Sequence, residues 1–164
     1  MHVTVSHSSF SFSPFHIIVI YAPARYYHRE PFYTSLSQIP FFSSSTIGRS
    51  VLLGDFNYQV LSRSSSGVPE SWRTHLSSYW IDSVTPPGDC PTPTFLRNSS
   101  RSCLDYIFMS TDLSPFSSSP LIVFINPLWT DHHLVSVELR LGQVPLGPGL
   151  WRCNPTLATD KKIL

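Results

Sequence analysis

The sequence predicts an α+β protein in which mixed β-sheets are covered by helices. Short apolar runs rich in β-branched residues, which are typical of buried strands, outnumber the segments with helical periodicity. The two helical segments fall between strands along the chain, a pattern that favours helices packed on sheets. A length of 164 residues fits one domain, and 41% hydrophobic with 13% aromatic residues indicates a globular protein rather than a disordered one.

The first part of the chain alternates strands and helices. Val3 and Val5 alternate with polar residues as in a short edge strand, and residues 16–24 (HIIVIYAPA) form the continuous apolar run of a buried strand. Residues 28–39 place apolar side chains three and four apart behind an early proline, which predicts a helix. Residues 50–57 (SVLLGDFN) supply the next buried strand.

The second part is richer in strands. Residues 69–80 have a helical apolar stripe behind a Pro-Glu-Ser start, and residues 82–93 form a Pro-rich loop without periodicity. Four further strands are predicted at residues 94–97, 102–110, 121–126 and 134–141. Residues 142–164 then shift to a Pro/Gly-containing composition, which predicts a linker-like tail behind a domain of residues 1–141.

The composition narrows the class of protein and its compartment. The charged fraction of 13% is about half the usual share, and a net charge of +1 requires no polyelectrolyte partner. The three cysteines are an odd number without CxxC spacing, which fits a reducing compartment without structural metal or disulfides. There is neither an apolar run long enough for a membrane span nor a signal-peptide pattern. We therefore expect an intracellular protein, nuclear or cytoplasmic.

Acidic residues are scarce, and three of them stand at the ends of apolar runs. Asp55 and Asn57 follow one run, Asp105 begins another, and Asp131-His132 immediately precedes the last strand. Function in such sandwiches gathers at strand ends and the loops beyond them, so these groups could converge at one rim. Taken alone, each motif has a plainer interpretation, since Gly, Asp and Asn favour turns on their own account.

These residue types are the ones that phosphodiester hydrolysis needs. A histidine has a suitable pKa to take a proton from water, and a carboxylate on its other nitrogen fixes the tautomer. Further carboxylates can hold Mg²⁺, which keeps several waters and polarises a phosphoryl oxygen. An amide can position the phosphate or the water.

The motifs GDFN, LDYIF and TDHH, in this order, resemble the endonuclease/exonuclease/phosphatase superfamily. The segments VIYAPA and PTFLRNSSRSCLDYIF also look like strands of that family. The resemblance implies the deoxyribonuclease-I-like fold, a four-layer α/β/β/α sandwich of two mixed sheets. The tail segment GPGLWRCNPTLATD resembles the stretch that follows the endonuclease domain in LINE-type (non-long-terminal-repeat) retrotransposons.

The resemblance assigns roles to individual residues. It implies that Asp55 orients or activates the attacking water, that Asn57 contacts the phosphate, and that Tyr21 reaches the scissile phosphate. His132 would be the general base, paired with Asp105. The plainer alternatives stay open at this stage: a surface position for His132, a strand cap for Asp105 and core packing for Tyr21.

The resemblance also implies a metal centre that includes Asp131 and holds Mg²⁺ or Mn²⁺. In the family, earlier strands carry an Asn and a Glu that is a principal metal ligand, whereas the residues before Tyr21 include no Asp, Glu or Asn. We therefore expect that the N-terminal strands of the domain are lacking and that metal binding is weakened.

The sequence thus predicts a truncated Mg²⁺-dependent DNA endonuclease of the retrotransposon type that is weakly active or inactive. Its reaction would be in-line attack of water on the DNA phosphate backbone. One alternative keeps the fold but changes the substrate to a phosphoinositide or another small phosphoester, a choice that fold alone does not decide. The other alternative is a catalytically dead fragment without enzymatic function.

Overall fold

The computed structural model of the protein describes residues 1–42, 47–62 and 67–142. Within these ranges it contains two α-helices and nine strands, so the predicted α+β class is confirmed. The helices are α1 (Tyr26–Ser37) and α2 (Glu70–Tyr79). The strands are β1 (His2–Val5), β2 (Phe15–Tyr21), β3 (Ser50–Asp55), β4 (Trp80–Asp82), β5 (Phe95–Arg97), β6 (Ser100–Ser102), β7 (Asp105–Ser110), β8 (Ser117–Val123) and β9 (Leu134–Leu139).

A central mixed sheet organises the fold. Its strand order is β1-β2-β3-β7-β4, with β1 as the edge strand that the alternation of Val3 and Val5 predicts. β2 and β3 run parallel and are joined through α1, whereas every other pairing in the sheet is antiparallel. β5–β6 and β8–β9 form separate antiparallel pairs.

Two apolar clusters hold the layers together on opposite faces of the central sheet. On one face the two helices pack through Tyr33, Leu36, Trp72 and Leu76 against Ile18, Ile20, Leu52 and Phe108. On the other face β9 packs through Val135, Val137 and Leu139 against Phe15, Val51, Ile107 and Met109. The described residues therefore form three of the four layers of the expected sandwich: helices, central sheet and the β8–β9 pair.

Besides the strand expected at 121–126, which is observed as β8 over Ser117–Val123, the structure differs from the sequence prediction at two strands. Residue 80 was expected to continue the second helix, but Trp80 is extended (φ −126°, ψ 141°) and opens β4, where it pairs with Ser110 of β7. The predicted strand over 102–110 is divided into β6 and β7. It is interrupted because the backbone N–H groups of Leu104 and Asp105 both donate to the Thr94 hydroxyl. In both places a tertiary partner overrides the local pattern.

Two further expectations concern the tail and membrane association. From residue 143 onward the predicted linker-like tail lies outside the described residues. Among the residues that are described, neither helix has the length and apolar character needed to cross a membrane.

Candidate active site

One end of the central sheet brings three sequence-predicted residues into a row. The parallel register of β2 and β3 places Tyr21 beside Asp55, and the antiparallel register of β3 and β7 places Asp55 opposite Asp105. Directly paired residues project to the same face of a sheet. This face is the one that β9 covers, because Val51 and Leu53, which alternate with Gly54 on β3, pack in that cluster.

Gly54 allows the strands to approach each other at this end. Its φ is +133°, and a Cβ atom at this position would lie 1.9 Å from the carbonyl oxygen of Ile20 on β2. Only glycine tolerates that contact and that backbone conformation together. Strand packing alone therefore explains the glycine at position 54, whatever the role of Asp55.

His132 reaches this row from the loop before β9. Its Nδ1 lies 2.8 Å from Oδ2 of Asp105, and the imidazole packs edge-on against the ring of Phe95 with the centroids 5.0 Å apart. Both side chains are partly buried. A carboxylate on Nδ1 orients the ring and leaves Nε2 as the nitrogen that can exchange a proton with water.

Thr94 is a hub of this arrangement that the sequence did not reveal. It is fully buried, and its hydroxyl donates to Oδ2 of Asp105 at 2.7 Å. The Oγ1 atom of Thr94 in turn accepts hydrogen bonds from the backbone N–H groups of Leu104 and Asp105, each at 3.0 Å. A threonine within PTPTFLR carries no spacing or periodicity that distinguishes it, so only the fold identifies it.

Strand β5 and the residue before it, Thr94, hold the histidine loop in place through their backbone. The N–H of Leu96 donates to the carbonyl of Asp131 at 2.8 Å, and the N–H of His133 donates to the carbonyl of Thr94 at 2.7 Å. Within the loop, the N–H of His132 donates to the hydroxyl of Thr130 at 3.0 Å. His132 is therefore positioned by ordered backbone rather than by a free loop.

Asn57 holds the carboxylate of Asp55. Its backbone N–H donates to Oδ1 of Asp55 at 2.8 Å, and its Nδ2 donates to Oδ2 of Asp55 at 2.9 Å and to the carbonyl of Ala22 at 2.7 Å. The residue adopts a positive φ of 53°, a conformation that asparagine tolerates better than most residues. The GDFN segment therefore forms a turn at the end of β3 and also positions the side chains of Asp55 and Asn57 in the candidate site. The turn interpretation and the active-site interpretation of this motif are compatible.

The electrostatics of Asp55 favour a positive group nearby. Burial raises the pKa of its carboxyl, the hydrogen bonds from Asn57 oppose this, and the charge of Asp105 raises it further, so the net shift is upward. Two adjacent carboxylates in a partly buried site repel each other when both are ionised. A cation between them would relieve that repulsion.

The ligand types fit a divalent cation. One ligand atom from each of Asp55, Asp105 and His132 can be chosen such that all three lie within 4.8 Å of one another. Carboxylate oxygens suit Mg²⁺ and Mn²⁺, and Mg²⁺ is often held by one or two carboxylates together with water. The three residues line a cavity of about 310 Å³ that also includes Thr130 and His133.

The two remaining predicted residues lie at the border of this cluster. Asp131 pairs with Arg97 (Nε to Oδ2, 2.9 Å) at the surface, and its carboxylate is not part of the three-residue group found within the described ranges. Tyr21 is 77% exposed, which excludes the core-packing interpretation. The structure therefore unites Asp55, Asn57, Asp105 and His132, places Tyr21 beside them, and engages Asp131 elsewhere.

A larger cavity lies away from these residues. It measures about 680 Å³ and is bordered by residues 60–62 and by α2, including Glu70 and Arg73. In the part of the chain that the structure describes, no second group of three metal-ligating side chains accompanies the one at Asp55. The larger size of this cavity therefore does not make it a better candidate for the active site than the cavity at Asp55.

Comparison with known proteins bears on the family and the fold of the chain. The model of the Endonuclease/Exonuclease/phosphatase family matches residues 4–136. The endonuclease domain of TRAS1, a telomere-specific non-LTR retrotransposon, is similar in structure with a TM-score of 0.60 and 14% identity, over 85% of this chain and 68% of that domain. A variant of the 3′ phosphatase NExo from Neisseria, bound to product DNA hairpin, is similar with a TM-score of 0.57 and 15% identity, over 84% of this chain and 64% of that one.

The chain thus spans about two thirds of the length of each of these two structures. No curated protein matches it in sequence. The structural likeness shows the deoxyribonuclease-I-like fold, and the family match covers most of the chain, including every residue of the Asp55–Asp105–His132 cluster. The chain belongs to the endonuclease/exonuclease/phosphatase family.

Proposed function

We propose that the protein is a divalent-metal-dependent phosphodiester hydrolase that cleaves DNA, of the endonuclease type found in LINE-type retrotransposons. The observation that carries the proposal is the 2.8 Å contact between Asp105 and His132 beside the carboxylate of Asp55. The contact supplies an oriented proton acceptor, and Asp55 supplies a negative group at the same site.

In the proposed reaction His132 is the general base. Its Nδ1–H donates to Oδ2 of Asp105, so Nε2 accepts the proton of the attacking water, and Asp105 stabilises the imidazolium that forms. The water attacks phosphorus in line and the leaving oxygen departs from the opposite side, without a covalent intermediate on the protein.

The neighbouring residues position the reacting groups. Asp55, fixed by Asn57, orients the water from the other side of the site. Both amide hydrogens of Asn57 are engaged in the described structure, so we assign Asn57 first to positioning Asp55, and a phosphate contact would use a rearranged amide. The exposed hydroxyl of Tyr21 contacts a phosphate oxygen.

The carboxylates of Asp55 and Asp105 would hold Mg²⁺ or Mn²⁺, and Asp131 would join them if it left Arg97. The ion would supply charge neutralisation at the phosphoryl oxygens. Because Oδ2 of Asp105 is already hydrogen-bonded to His132 and Thr94, we expect weak binding of the ion.

The choice of DNA as the substrate rests on the structures to which this fold is similar. Of the two similar structures compared above, one is a retrotransposon endonuclease domain and the other was determined with a DNA product. The tail segment with its retrotransposon-like motif supports the same origin. We propose accordingly that residues 1–141 are the catalytic unit and that residues 142–164 are a linker-like tail.

Nicking of supercoiled plasmid in the presence of Mg²⁺ or Mn²⁺ tests the proposal. We expect nicking by the wild-type chain and its loss in His132→Ala. The matched control is His7→Ala, since His7 lies in the β1–β2 loop and its Nδ1 contacts only Ser9 and Ser11 among the described hydrogen bonds. Hydrolysis of an inositol phosphate without nicking would indicate the alternative substrate. A folded chain that cleaves neither substrate with either metal would contradict the proposal and favour a catalytically dead fragment.

A further inference from the structure

We propose that the candidate site takes DNA with unpaired bases, which stack on exposed aromatic side chains on both flanks of the site. Tyr21 and Tyr27 form one flank and Trp129 forms the other; together we call them the aromatic flanks. This inference rests on the proposed function and specifies the form of its DNA substrate.

The first flank extends from the row of site residues onto the start of α1. Tyr21 lies beside Asp55 in the sheet and is 77% exposed, and Tyr27 is 62% exposed. The hydroxyl of Tyr27 accepts a hydrogen bond from Nη1 of Arg25 at 2.9 Å, and its ring lies 4.2 Å from that of His28. The Tyr27 ring is therefore oriented while it remains open to solvent.

The backbone beneath this flank is held by Arg29. Its Nε donates to the carbonyl of Pro23 at 3.2 Å, and its Nη2 donates to the carbonyl of Ala24 at 2.6 Å. These bonds tie the segment between Tyr21 and Tyr27 to the first turn of α1. A stacking surface that is ordered before binding loses less conformational entropy when a base arrives.

The second flank comes from the loop that carries His132. Trp129 is 78% exposed, and it directly precedes Thr130, which lines the cavity of the site. A turn fixes its backbone, since its N–H donates to the carbonyl of Asn126 at 3.0 Å. Trp72 and Trp80 show the usual behaviour of this residue type, because both are buried in the core. The exposure of Trp129, one residue before the cavity-lining Thr130, thus requires an explanation.

Unpaired DNA is the occupant that fits an aromatic, weakly charged surface. Duplex DNA presents phosphates to a protein surface and is bound largely by cations, whereas this chain has a net charge of only +1. Unpaired bases expose their faces, and stacking on tyrosine and tryptophan binds them without sequence preference. Arg25, which contacts Tyr27, would add contacts to the phosphates between the stacked bases.

Binding without divalent cation separates this inference from catalysis. A fluorescently labelled short oligodeoxythymidine and a hairpin duplex of matched length are titrated with the protein in EDTA, and anisotropy is measured. We expect tighter binding of the oligodeoxythymidine. Tyr27→Ala and Trp129→Ala should each weaken that binding by about tenfold, the size of one lost base–aromatic stack. Tyr27→Phe should retain it, because the ring and not the hydroxyl carries the interaction.

Tyr79→Ala is the control, since Tyr79 is an exposed tyrosine at the end of α2, next to Trp80, which pairs with the far end of β7. Quenching of tryptophan fluorescence by the oligonucleotide, abolished in Trp129→Ala, is a second readout. Equal affinity for both DNA forms, or equal losses in the Tyr79 and Tyr27 alanine variants, would overturn the inference. Selective binding of the single strand by a chain that, with Mg²⁺ or Mn²⁺, cleaves neither plasmid nor that oligonucleotide would instead contradict the proposed function alone.

Discussion

Asp105 and His132 stand 27 positions apart in the chain, and the structure brings Oδ2 of one to 2.8 Å from Nδ1 of the other. Asp105 is fixed by the first position of a central strand and by the hydroxyl of Thr94. His132 is fixed by its loop's backbone bonds to β5 and by the ring of Phe95. The pair is therefore a product of the fold, and its consequences can be tested one contact at a time.

Replacing Asp105 with asparagine should abolish most of the hydrolytic activity while it preserves the fold. The amide cannot stabilise the imidazolium of His132, so we expect the rate to fall by about 10²–10⁴-fold, the range of general acid–base contributions. The measurement is the plasmid nicking rate, with circular dichroism to show folding. The matched control is Asp89→Asn, an exposed aspartate in the Pro-rich loop, which should retain full activity. Equal rates for the Asp105 variant and the wild type would rule out the proposed role of the pair.

Replacing Thr94 with valine should damage both stability and activity. Valine keeps the shape but removes a buried hydroxyl that partners Asp105 and two backbone N–H groups. Leaving buried donors without a partner costs about 1–3 kcal/mol, so the free energy of unfolding in a urea titration should fall by that amount. Thr94→Ser retains the hydroxyl and should recover most of the nicking rate. An inactive serine variant with wild-type stability would show that the hydroxyl is not the relevant group.

Replacing Gly54 with alanine should destabilise the fold strongly. The added Cβ would lie 1.9 Å from the carbonyl oxygen of Ile20, and the φ of +133° is itself unfavourable for alanine. We expect the free energy of unfolding to fall by about 3 kcal/mol or more. Gly88→Ala separates the two causes, because Gly88 also has a positive φ of +91° but would place its Cβ in open space. The Gly88 variant should lose only about 1–2 kcal/mol, the cost of the backbone conformation. Similar losses in both variants would mean that the close approach to Ile20 is unimportant.

The pH dependence of stability should contain a contribution from Asp112. Partial burial raises the pKa of its carboxyl, but the hydrogen bonds from the Ser110 hydroxyl and the backbone N–H of Arg49 outweigh this, so the pKa lies below its ordinary value. The unfolded chain therefore takes up this proton at a higher pH than the folded chain. The stabilisation is fully present above the ordinary pKa of about 4, and it is lost as the pH falls through the lower pKa of the folded state.

The thermal midpoints of the wild type and Asp112→Asn measure this contribution. At neutral pH the wild type should melt at the higher temperature, and the difference should shrink as the pH falls below about 4. Asp112 lies just after β7, at the end opposite to Asp105, so the variant should keep its nicking rate at neutral pH. A difference that does not change with pH would show that the charge of Asp112 is not the cause.

Much of the architecture follows from local patterns. The apolar runs at residues 16–24 and 50–57 predict β2 and β3, and the spacing in residues 28–39 and 69–80 predicts α1 and α2. These elements were predictable because a continuous apolar run or a helical stripe reports directly which faces are buried. Strand β4 was not predictable, since Trp80 fits the helical stripe and becomes extended only by pairing with β7.

The sequence by itself determined the α+β class, the family motifs and the candidate residues Tyr21, Asp55, Asn57, Asp105, Asp131 and His132, because apolar periodicity and motif order are local properties of a chain. Only the tertiary structure decided which of them meet. Strand register set Asp55 against Asp105, the hidden hydroxyl of Thr94 fixed Asp105, and Arg97 engaged Asp131 at the surface. Register and side-chain pairing depend on segments far apart in sequence, and no local pattern encodes the distance between them.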